Sequence, residues 1–159
     1  MKKNLIIGIV IGAVLSAGLF LLVAFQAGPG MMMHEDQSKY DFDETIEVFE
    51  QQVAEAGWSV AGMHDMKEIL DGHGHDVIDI KIYELCSSKY SAEILKLDDE
   101  RFVSPLMPCR ISFYEKSDGN TYISRMNSSL MAKPFGGVID EVMQQAAAET
   151  EAILDHLID

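Results

Sequence analysis

Cys86 and Cys109 are the only two cysteines in the 159 residues, and both fall where apolar residues alternate. Cys86 ends the run Val77–Cys86, which carries Ile78, Ile80 and Ile82 at every second position. Cys109 precedes Arg110–Glu115, in step with Ile111 and Phe113. A period of two sends successive side chains to opposite faces of a strand, so both thiols are expected to point inward with those apolar neighbours. If the two strands are antiparallel neighbours, the end of one lies beside the start of the other and the sulfurs can meet. A parallel crossover would set them at opposite ends of the sheet. Open chemistries are inert packing as small hydrophobes, a disulfide or redox pair, and ligation of a soft metal or haem. No C-x-x-C or C-x-x-C-H occurs, which counts against thioredoxin-like exchange and covalent haem attachment.

Arg110 and Glu84 flank the cysteines. Strict alternation puts Arg110 on the face opposite Cys109, beside Ser112 and Tyr114, and puts Glu84 on the Cys86 face. A carboxylate there is costly unless a strand-end bulge, a partner such as Arg125, or solvent relieves it. Glu84, Cys86, Cys109 and Arg110 are the candidate ligand or redox residues. No catalytic set accompanies them: G-x-S-x-G, H-E-x-x-H, a P-loop and a strand-linked G-x-G-x-x-G are all missing.

Methionine and histidine raise copper as a further option, through Met31-Met32-Met33-His34, Met63-His64-Asp65-Met66 and His73-Gly74-His75. On a strand, however, Met63 and His64 face opposite ways and cannot chelate together. The sequence therefore assigns no metal ligand, and it leaves the cofactor unknown.

The elements that must position these residues begin after an oily amino terminus. Lys2 and Lys3 precede an uncharged run from Leu5 to Phe25, which as a helix spans about 30 Å, the thickness of a bilayer core. The exit at Ala24-Phe25-Gln26-Ala27 lacks a clean A-x-A, so an uncleaved anchor is expected rather than a removed signal peptide. Gly8 and Gly12 form one GxxxG. The two lysines place the amino end in the cytoplasm and the rest across the inner membrane, in a single pass. The remainder keeps ten basic residues against 26 acidic, within a net charge of -14. That balance excludes nucleic acid as a partner and repels anionic headgroups. The expected organisation is a transmembrane anchor over 1–27, a short irregular linker over 28–32 at Gly28-Pro29-Gly30, and a folded domain over 33–159.

Within that domain Phe42, Ile46, Phe49 and Val53 mark a helix face capped by Asp41 and stopped by Gly57. Trp58–Met63 is expected as a strand, Asp65-Met66-Lys67-Glu68 as a short helix start, and Ser87–Asp98 as a helix. Ser117-Asp118-Gly119-Asn120 reads as a hairpin turn into Thr121–Met126. Pro134-Phe135-Gly136-Gly137 opens a last helix striped by Val138, Val142, Ala146, Ile153 and Leu157. A meandering sheet with helices on one face follows, the α+β class.

Three stretches, Ile82-Tyr83-Glu84-Leu85-Cys86, Leu106-Met107-Pro108-Cys109-Arg110-Ile111 and Tyr114-Glu115-Lys116, resemble in order and spacing the domain-of-unknown-function family 302. Gly57-Trp58-Ser59-Val60 and His64-Asp65-Met66 fit the same pattern. The resemblance covers roughly Met33 to Leu157. It implies a curved antiparallel sheet with helices packed on one face, similar to the TATA-binding protein, and self-association as a homodimer. It implies no established reaction. The expectation is a membrane-anchored extracytoplasmic binding or sensing domain, holding a small ligand or partner protein on the sheet near Cys86 and Cys109. A thiol-dependent redox protein and a copper or haem carrier are the alternatives.

Overall fold

The computed structural model describes residues 2–158 and divides into two compact units after Met32. The first is one helix, α1 (Lys2–Met32). Its segment Ile6–Gly28, 23 residues with mean hydropathy 2.8, is long and apolar enough to cross a membrane. The helix runs through Gly28-Pro29-Gly30, where an irregular linker was expected.

The second unit opens with β1 (Met33–Gln37), followed by α2 (Phe42–Glu55), β2 (Ser59–Asp65), α3 (Met66–Asp71) and β3 (Ile80–Cys86). Next come α4 (Ser88–Leu95), a 3-10 helix (Asp98–Leu106), β4 (Cys109–Glu115), β5 (Thr121–Met126), α5 (Ser128–Ala132) and α6 (Gly137–Leu154). Local chemistry sets many of these bounds. Asp41 Oδ1 accepts from the Glu44 N–H at 2.9 Å, and Asp65 Oδ1 from the Glu68 N–H at 3.0 Å, so each caps a helix start. The β4–β5 hairpin closes with Lys116 N–H donating to Asn120 O at 3.1 Å, and Gly119 takes φ 79° as that turn requires.

All strand pairs are antiparallel, in the order β1-β5-β4-β3-β2, with the helices on one face. Phe49 of α2 meets Tyr83 and Phe113 at ring-centroid distances of 5.2 and 4.6 Å, and Leu85, Ile111, Ile123 and Leu154 complete the buried layer. Each such side chain removed from water contributes about 1.5–3 kcal/mol. On β3 the buried residues are Tyr83 and Leu85, so Ile80 and Ile82, expected inward, lie on the uncovered face. The strand carries apolar groups on both faces, and the aromatic layer under α2 selects the face with Tyr83.

Arg125 of β5 faces the helices and is only 6 % exposed. Its guanidinium donates to Asp36 of β1 and, through Nε at 3.0 Å and Nη2, to Glu151 of α6. It does not partner Glu84. One buried cation thus ties the edge strand and the last helix to the sheet.

Candidate functional site

Glu84 and Arg110 sit directly opposite each other across β3 and β4, on the face no helix covers. Arg110 donates from Nε at 3.0 Å and Nη2 at 2.8 Å, both to Glu84 Oε1, and His64 Nε2 lies 3.4 Å from the same oxygen. The arginine bond, with a smaller part from His64, holds the Glu84 carboxyl below the ordinary glutamate range. Glu84 therefore stays ionised at neutral pH and acts as a fixed acceptor for Arg110. Strand β2 accommodates it with a bulge between Val60 and Gly62. A Cβ at Gly62 would lie 3.2 Å from Glu84 Oε2, so the carboxylate occupies space that any side chain would fill.

The Arg110 head is largely exposed, so the pair contributes little to stability. What it does is hold the guanidinium at the rim of a cleft of about 440 Å³ on the same face. Ser112 and Ser124, register partners on β4 and β5, form the floor. Among the described residues neither hydroxyl has a hydrogen-bond partner. Ile82, Met33, Met126 and the segment Pro105-Leu106-Met107-Pro108 supply the apolar part of the lining. The cleft thus brings an apolar lining, two unengaged hydroxyls and one oriented cation together on the open face.

The two cysteines realise the antiparallel alternative. Leu85 pairs with Cys109, so Cys86 and Cys109 lie at one end of the β3–β4 ladder, both as free thiols. Cys86 Sγ is 3.5 Å from Ser91 Oγ of α4. Cys109 packs against the core and lines a small interior cavity with Trp58, Tyr90 and Met143. Burial, with a smaller part from nearby Cys86, pushes the Cys109 thiol above the ordinary range. It is protonated at neutral pH, the unreactive form of a cysteine. The four candidates thus divide. Arg110 lines the cleft with Glu84 bonded to it from behind, while Cys109, next in sequence to Arg110, turns the other way.

The proposed copper groups do not assemble. Met63 and His64 occupy opposite faces of β2, His64 is engaged with Glu84, and His73 and His75 are exposed beyond α3. Among the described residues no group of three His, Cys, Asp or Glu is placed to hold a metal. Ser112, Ser124, Met126 and Gly62 are not singled out by the sequence as site residues, and Met33 enters there only within a Met-His group considered for copper. Only the alternation of Ser112 with Arg110 hinted at a shared face, because the cleft comes into being when four strands are set in register.

Residues 34–159 match the family described as Domain of unknown function DUF302. The crystal structure of an uncharacterized conserved protein DUF302 from Bacillus stearothermophilus is similar in fold, with a TM-score of 0.72 and 22% sequence identity, covering 80% of this chain and 98% of that one. No curated protein matches the chain.

Proposed function

The chain belongs to the family of Domain of unknown function DUF302, a description that assigns no activity, and from its own geometry we propose that it is a membrane-anchored, extracytoplasmic binding or sensing domain. Its ligand is a small amphipathic molecule, held in the open-face cleft with its polar end toward Arg110, Ser112 and Ser124. The observation that carries this reading is the pair of unengaged serine hydroxyls beneath an arginine that Glu84 already holds in place. Such preorganisation lowers the ordering cost of binding. The charged groups here are poor proton carriers: the Glu84 carboxylate, held below the ordinary range by Arg110, is a weak base, and arginine does not give up its proton. Recognition is the better-supported role.

The Ile6–Gly28 segment supplies the anchor, and Lys2 and Lys3 orient it with the amino end inside. The deciding experiment is native mass spectrometry of the full-length chain released from membrane nanodiscs. An adduct of constant mass that disappears in the Ser112→Val, Ser124→Val double variant supports the proposal. A bare polypeptide mass, or an adduct indifferent to these substitutions, overturns it.

A further inference from the structure

Methionine is unevenly placed in this fold. Among the described residues, the fully packed core consists of aromatic, branched aliphatic, leucine and alanine side chains, with Met143 its one methionine. Yet Met107, Met126, Met131 and Met143 all line one small cavity between the 3-10 helix, the end of β5, α5 and α6. That cavity, about 10 Å³, has room for a single atom-sized guest. No charged residue, imidazole or thiol lines it. Ser128 contributes the one polar side chain, and Val103, Leu106, Ala132 and Ile139 supply the rest.

We propose that the thioethers of Met107, Met126, Met131 and Met143 form a site for a soft monovalent cation of the Cu(I) or Ag(I) class. Neutral sulfur donors without carboxylate or imidazole select against Mg²⁺, Ca²⁺ and Zn²⁺ and for soft d¹⁰ ions. Each methionine has three rotatable side-chain bonds, so four lining one cavity can turn their sulfurs onto a common guest without moving backbone. Leu106, Met107 and Met126 line both this cavity and the open-face cleft, so rotation of these three side chains is the route an ion would take between them. The acidic excess of the chain draws cations toward the surface. This site is distinct from the Met-His groups considered from sequence, which the fold keeps apart.

Thioethers carry no proton, and this gives the site a signature. Loading releases no proton, so affinity is the same at pH 5 and pH 7.5, whereas a histidine or cysteine site weakens as its donors protonate. The test is titration of the full-length chain in detergent with Ag(I) by calorimetry, and with Cu(I) against bicinchoninate. The expected result is one ion per chain, pH-independent affinity, and a loss of at least about tenfold in each of Met107→Leu/Met126→Leu and Met131→Leu/Met143→Leu. The exposed Met63→Leu control leaves affinity unchanged. Leucine conserves volume, so these variants retain the fold. Should one nevertheless unfold, methyl NMR of the parent chain decides, with Ag(I) shifting the Cε signals of the four cavity methionines. No binding, binding that weakens at pH 5, or shifts confined to other methionines overturns the assignment.

Discussion

Replacing Arg125 with methionine tests how the sheet, its edge strand and α6 are held together. The substitution keeps an apolar stem in a site only 6 % exposed and deletes the cation between Asp36 and Glu151. Breaking a fully buried ion pair from one side costs about 3–5 kcal/mol, since the remaining charge is stranded. Here the carboxylates are 42 % and 38 % exposed and regain water. Roughly half the full penalty, about 2 kcal/mol, is therefore expected. For a folded unit of this size that corresponds to a fall in Tm of about 6–10 °C. Trp58, the single tryptophan, is bonded through Nε1 to Glu149 and reports the transition by fluorescence. Adding Asp36→Asn and Glu151→Gln removes the stranded charges and restores most of the loss. A single variant within about 2 °C of the parent, or a triple variant no better than the single, would refute this account of Arg125.

Acid and thiol chemistry supply further predictions. Glu35, Glu84 and Glu149 are all held below the ordinary value of 4.5, by Lys116 with Tyr114, by Arg110 with His64, and by Tyr90 with Trp58 respectively. Depressed folded-state values contribute stability that is present above 4.5 and lost as pH falls through them. Urea midpoints of Glu149→Gln therefore fall less steeply below that pH than those of the parent, and identical slopes would contradict the sign. In Cys86→Ser, maleimide labels Cys109 slowly at neutral pH and accelerates only above its ordinary value of 9.0. Rapid labelling at pH 7 would show an activated thiol. Gly62→Ala presses on Glu84 Oε2 and loosens Arg110 at the cleft rim, lowering the occupancy of the adduct seen by native mass spectrometry. An occupancy equal to the parent's would show that the glycine does not set this geometry.

Much of the fold was legible because local chemistry wrote it. Asp41 and Asp65 cap helices, Gly57 and Gly119 take φ 73° and 79°, and Ile111 with Phe113 gives the core face of β4. β1 was not legible, since Met-His-Glu-Asp-Gln has no apolar alternation. It is an edge strand fastened by Glu35 to Lys116 and by Asp36 to Arg125. The 3-10 helix Asp98–Leu106 was missed as well, with Pro105 inside it. On β3 the isoleucines outweighed Tyr83 and Leu85 in the pattern, although only packing under Phe49 chooses between the faces. The same ambiguity hid the site. Glu84 found Arg110 across one ladder, and Ser112 found Ser124 across the next, by pairings that no local spacing encodes.

β1, an edge strand that begins at Met33, is held on one side only, by its ladder with β5. Met33 belongs both to this margin and to the lining of the cleft, so fraying of β1 from β5 dismantles the cleft while the central strands stay paired.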